Sequence, residues 1–155
     1  MEQIQDFIRL RGSLQIALCD PDGKILEKRI CDNLVVTQGR SWVLGQLETV
    51  NQVTSQTISY VAIGSVTTAP TTADTALGGE VTRLVVGTWI TSTLTANPPN
   101  WQAQVSYATN LANTTLAEVG LFNSSSGGTM LGHATFTSFV KATSNTLNIS
   151  YTISG

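Results

Sequence analysis

Thr146-Leu147-Asn148-Ile149-Ser150-Tyr151-Thr152-Ile153-Ser154 alternates polar and apolar residues without a fault. A period of two is the mark of a half-buried β-strand: Leu147, Ile149, Tyr151 and Ile153 lie on one face, hydroxyl and amide side chains on the other. Similar strand signals recur upstream at 130–136, 116–122, 101–107, 82–95 with a bend near Gly87, and 58–63. Near the start, Leu14, Ile16 and Leu18 alternate with Gln15, Ala17 and Cys19. The turn residues Asp20-Pro21-Asp22-Gly23 follow, and Lys24 to Asn33 return as the second arm of a hairpin.

The strands are separated by turn-rich connections at 67–79, 96–100 and 124–128. The one helical signal is 38–47, where Val43, Leu44 and Leu47 recur at helical spacing. Thr37 is placed to cap its first turn, and Gly39 and Gly45 weaken it. Many short strands with little helix predict an all-β fold, an antiparallel β-sandwich of jelly-roll type with one short helix.

A length of 155 residues fits one domain, read as 12–155 with an arm at 1–11 before it. Charged residues are only 12% of the chain, while Ser and Thr supply 37 residues. Thirteen of the 18 charged side chains fall in 1–48, which leaves only Glu118 and Lys141 charged in 84–155. The uncharged faces of that half desolvate cheaply, so they are expected to pack against neighbouring copies or other protein.

A net charge of -2, with eight scattered Lys and Arg, argues against binding nucleic acid. No apolar run approaches the roughly 18 residues that span a bilayer. Glu2 and Asp6 stand where a signal peptide would carry basic residues, so assembly in a cytoplasm is expected. Cys19 and Cys31 flank the hairpin turn about 20 Å apart at the usual strand rise, beyond disulfide reach, and are read as free thiols.

The chain offers little chemistry. Its single histidine, His133, lies mid-strand and is read as half-buried or exposed, on a face shared with Leu131 and Thr135. One His and two distant Cys make no zinc site, and Asp20 to Gly23 lacks the later oxygen ligands of a calcium loop. Gly78-Gly79 and Gly127-Gly128 lack a phosphate-binding context. The expectation is no enzyme, cofactor, metal or small-molecule substrate.

Two acidic positions are conspicuous. Glu118 stands in an otherwise uncharged strand and is expected to meet Arg83, Lys141 or water, or else to face solvent. Asp74 and Glu80 bracket a turn, with Asp74 as a turn cap and Glu80 as a partner for Arg83. At the N-terminus, Ile4, Phe7, Ile8 and Leu10 fall near helical spacing with no place in a strand. Together with Arg9 and Arg11 they are expected to form a partner-binding arm.

Several segments carry a resemblance. Asn33 to Arg40, Val61-Ala62-Ile63-Gly64, Asp74-Thr75-Ala76-Leu77 leading to Glu80 and Arg83, Glu118-Val119-Gly120-Leu121-Phe122 and Gly128 to Leu131 are similar to small structural proteins of tailed bacteriophages, tail-collar and fibre-adaptor domains among them. The resemblance covers most of 12–155 and makes Gly64, Asp74, Glu80, Arg83, Glu118, Gly120 and Phe122 its motif residues. It implies a β-rich virion protein that works by assembly.

Because the chain closes just after its last strand, a free-standing capsid cement or decoration subunit is expected. It would bind the major capsid protein and copies of itself in the virion, with a tail, neck, collar or baseplate adaptor as the rival. A further alternative is a glycan-binding tail module using Trp89, Trp101 and Tyr107.

Overall fold

The computed structural model describes residues 10–46, 57–90 and 99–155. Its elements are β1 (Arg11–Cys19), β2 (Ile25–Val35), α1 (Thr37–Gly45), β3 (Tyr60–Gly64), β4 (Glu80–Val85), β5 (Thr88–Ile90), β6 (Asn100–Tyr107), β7 (Thr115–Phe122), β8 (Met130–Val140) and β9 (Thr146–Ser154). The alternation in β9 becomes two faces: Leu147, Ile149, Tyr151 and Ile153 are buried, while Asn148 is exposed. Burying such a side chain contributes roughly 1.5–3 kcal/mol. β9 therefore takes a central place, antiparallel to β1 on one side and to β6 on the other.

The strand order β4-β3-β7-β8-β2-β1-β9-β6-β5 is antiparallel throughout and folds into two layers. β2, β1, β9, β6 and β5 form the front layer, and β4, β3, β7 and β8 the back. β2 links the layers, pairing with β1 along its length and with β8 only at Leu34 and Val35. At the opposite side the chain itself closes the structure. β4 pairs with β3, the backbone crosses at Val86 and Gly87, whose amides bond Ser59 O and Gln104 O, and β5 then pairs with β6. The bend expected near Gly87 is this crossing. Between the layers lies the main core, with Leu14, Ile16, Val61, Ile63, Val119, Leu121, Leu147, Ile149 and Tyr151 among its members.

The structure corrects three boundaries. β1 begins at Arg11, opposite Ser154, and Leu10 packs against the core, so these two residues belong to the folded domain and not to an arm. The helix starts at Thr37 itself, with Val36 at the cap position and no side-chain capping bond. Gly39 is buried because any Cβ there would collide with the Leu131 backbone, so this glycine seats the helix against β8 rather than merely weakening it. β8 continues to Val140, past the expected end at residue 136.

Candidate functional site

The motif residues come together on the outward face of the back layer, under the connection between β3 and β4, residues 65–79. β7 is buried on both faces, since Val119 and Leu121 join the main core while Phe122 packs in a second cluster with Val36, Ala62, Leu77 and Met130. Leu77 comes from the connection, which thus roofs the back layer.

Glu118 lies beneath this roof with no solvent exposure. Its Oε1 accepts the backbone N–H groups of Gly79 (2.7 Å) and Val66 (3.2 Å), and its Oε2 that of Gly78 (3.0 Å). Oε2 also lies 3.2 Å from Nε2 of His133, whose Nδ1 lies 2.7 Å from Oδ2 of Asp74. The expected partners of Glu118, Arg83, Lys141 or solvent, are therefore replaced by backbone amides and one imidazole. A buried carboxylate needs such donors to offset its desolvation.

Asp74 closes the turn before it, 71–74, rather than the bracketed segment 75–79, accepting from the Thr71 amide at 2.8 Å and the Thr71 hydroxyl at 2.6 Å. Burial raises its carboxyl pKa, but the two Thr71 bonds and His133 outweigh it and hold the pKa below the ordinary value of 3.8. A further roof bond runs from the Thr37 amide to Thr72 O, tying it to the start of α1.

His133 is buried, contrary to the half-buried or exposed reading. The cause is a register shift between Leu121 and Phe122, which lets Leu131 join the main core while His133 turns to the opposite face. His133 thus links Glu118 through one ring nitrogen to the roof's Asp74 through the other.

Arg83 forms a second clamp beside the first. Its Nε and Nη2 donate to the two Glu80 oxygens at 2.9 and 2.7 Å, its Nη1 donates to Ser124 O and Gly127 O, and its guanidinium lies 3.7 Å over the Phe122 ring. The Glu80–Arg83 pair was legible in the sequence; the grip on the β7–β8 turn was not. The glycines complete the packing: a Cβ at Gly64 would overlap the Glu118 carboxylate, and one at Gly120 would come within 2.7 Å of Phe122 and 2.9 Å of Leu77.

Lys141 is a separate anchor, donating through Nζ to Ala108 O and Asn113 Oδ1 at 2.9 Å each, with burial pulling its pKa down. Cys19 and Cys31 are free thiols, the first buried and the second half-buried. Tyr107 is core, its hydroxyl bonded to Val61 O, so it cannot belong to an exposed aromatic platform. Trp101 is half-buried and lines an apolar cavity of about 430 Å³ with Trp42, Ile58, Leu131 and Ile153. The Trp89 side chain and Ile4, Phe7, Ile8 and Arg9 lie outside the described residues.

Among the described residues no group of three or more His, Cys, Asp or Glu is placed to hold a metal ion, and no helix is long and apolar enough to cross a membrane. On β6 and β9 the outward face of the front layer is polar without ions: Gln102 Nε2 donates to Thr152 Oγ1, and Gln104 Nε2 to Gln102 Oε1 and Ser150 Oγ, at 3.0–3.3 Å. In comparisons with protein-family models, curated proteins and solved structures, the chain matches none.

Proposed function

We propose that this chain is a non-enzymatic structural subunit of a bacteriophage particle, a cement or decoration protein that binds and stabilises the head shell. The observation that carries the reading is the convergence of the motif residues Gly64, Asp74, Glu80, Arg83, Glu118, Gly120 and Phe122 on clamps that hold two surface connections rigid. They build a stiff scaffold, not a cleft for a substrate. The front layer supports the same reading, because its Gln, Ser and Thr side chains desolvate against a neighbouring protein surface at lower cost than ions would. The major capsid protein is the partner, and the virion the location.

Quantitative protein analysis of purified particles, together with rebinding of the purified subunit to head shells that lack it, tests the proposal. A cement subunit is present in proportion to the major capsid protein and rebinds the shells, raising their thermal stability. A small fixed ring of copies on the tail or neck would assign it instead to an adaptor. Absence from particles would overturn the virion reading.

A further inference from the structure

β2 carries a feature that neither the core nor the clamps use. It pairs with β8 only at Leu34 and Val35, so from Ile25 to Asn33 the backbone edge facing away from β1 has no strand partner among the described residues. The Arg29 side chain lies along this edge and reaches toward β8, donating to Lys28 O at 3.0 Å and to Thr137 O at 3.2 Å with its guanidinium 5.9 Å from the Phe139 ring centroid; a carbonyl has a second lone pair, so Lys28 O can still accept from another strand. Exposed aliphatic residues flank this edge: Ile30 is 70% exposed and Leu26 50%. An open edge with such residues invites another strand.

The segment Leu26-Glu27-Lys28-Arg29-Ile30 is complementary to its own reverse. Turned antiparallel about Lys28, Leu26 of one copy stands opposite Ile30 of the other, and Glu27 opposite Arg29. The faces agree, since Leu26, Lys28 and Ile30 are exposed while Glu27 and Arg29 are half-buried on the other side. Only Lys28 meets its like. The register shift that leaves Leu26 as the extra residue in β2 sets the end of this five-residue ladder.

We infer that two copies associate through these edges, antiparallel about a twofold axis at Lys28, joining their front layers into one continuous sheet. Backbone bonds supply the attraction, and the opposed charges fix the register. A twofold contact of this kind uses the same surface on both copies, as a closed dimer requires. The inference concerns the chain alone, so its failure would leave shell binding untouched.

Sedimentation velocity over a concentration series tests it. The wild-type chain forms a concentration-dependent dimer. Glu27→Arg and Arg29→Glu, each alone, place like charges opposite one another twice and weaken the dimer on the order of tenfold. An equimolar mixture of these two variants recovers near-wild-type association. There the arginine introduced at 27 faces the glutamate introduced at 29, and the native Arg29 of one variant faces the native Glu27 of the other.

This recovery separates pairing between copies from the Glu27–Arg29 contact within one chain, which mixing cannot restore. Lys28→Thr tightens the dimer, and Ile30→Lys, at a site too exposed to affect folding, weakens it. A wild-type chain that stays monomeric overturns the inference. So does a dimer indifferent to Ile30→Lys, or a mixture that associates no better than either variant alone.

Discussion

The outward faces of the two layers are built by opposite rules. The front layer leaves Gln102, Gln104, Ser150 and Thr152 bonded to one another and otherwise open, without a charge among them. The back layer is roofed by residues 65–79, and beneath the roof lie a fully buried glutamate and a buried histidine that bonds the roof's partly buried Asp74. From residue 74 onward most of the few charged side chains bind backbone: Glu118 holds three amides, Arg83 two carbonyls and Lys141 one, while Glu80 pairs with Arg83. In this part of the chain charge serves mainly as internal fastening, while β6 and β9 meet the surroundings with neutral groups. A surface poor in ions is thus compatible with connections that are firmly held.

The contrast breaks most severely at Glu118. Glu118→Ala leaves three buried amides without their acceptor and His133 without its partner, and the loss expected is about 3–5 kcal/mol in urea unfolding. Next comes Arg83→Met, which keeps an apolar contact on Phe122 but orphans Ser124 O and Gly127 O. About 2 kcal/mol is expected from the same measurement, with faster amide exchange around 123–129.

Acid gives a local effect. Because the folded state holds the Asp74 pKa below 3.8, Asp74 contributes stability that is complete above that value and lost as pH falls through its folded pKa. Amide exchange at Thr71 should accelerate there before exchange in β9 changes. The smallest effect is expected on the open face: Gln104→Ala alters stability within about 0.5 kcal/mol, whereas Gln104→Glu leaves folding intact and, on the proposed cement role, weakens binding to head shells. Equal effects of Glu118→Ala and Gln104→Ala on stability would erase the distinction between the layers.

How far the sequence could be read follows from which faces are buried. β9 and β1 each turn a polar side to the surface, and their alternation states the fold openly. β7 is buried on both sides from Leu116 to Phe122, so alternation is lost and only the solitary Glu118 signals something unusual. Its partners at Val66, Gly78 and Gly79 are backbone amides 39–52 residues away, and backbone donors leave no trace in residue type. The pairing of Glu80 with Arg83 was legible because it spans three residues of chain, and Asp74 was legible as a turn residue though not in its bonds to Thr71. His133 was misplaced because a single bulge changes which face follows Leu131.

The position of β1 beside β9 has a mechanical consequence. Arg11 and Ser154 are paired neighbours at one end of this ladder, whose bonds run perpendicular to both strands. Tension drawing these two residues apart would act along the bonds and open the rows in succession from Ser154 inward, as a zipper opens, with little resistance at any instant. Force applied along the strands would instead strain all nine rows of the β1–β9 pairing together. The domain should therefore withstand a sideways shear on its faces far better than a pull on its two ends.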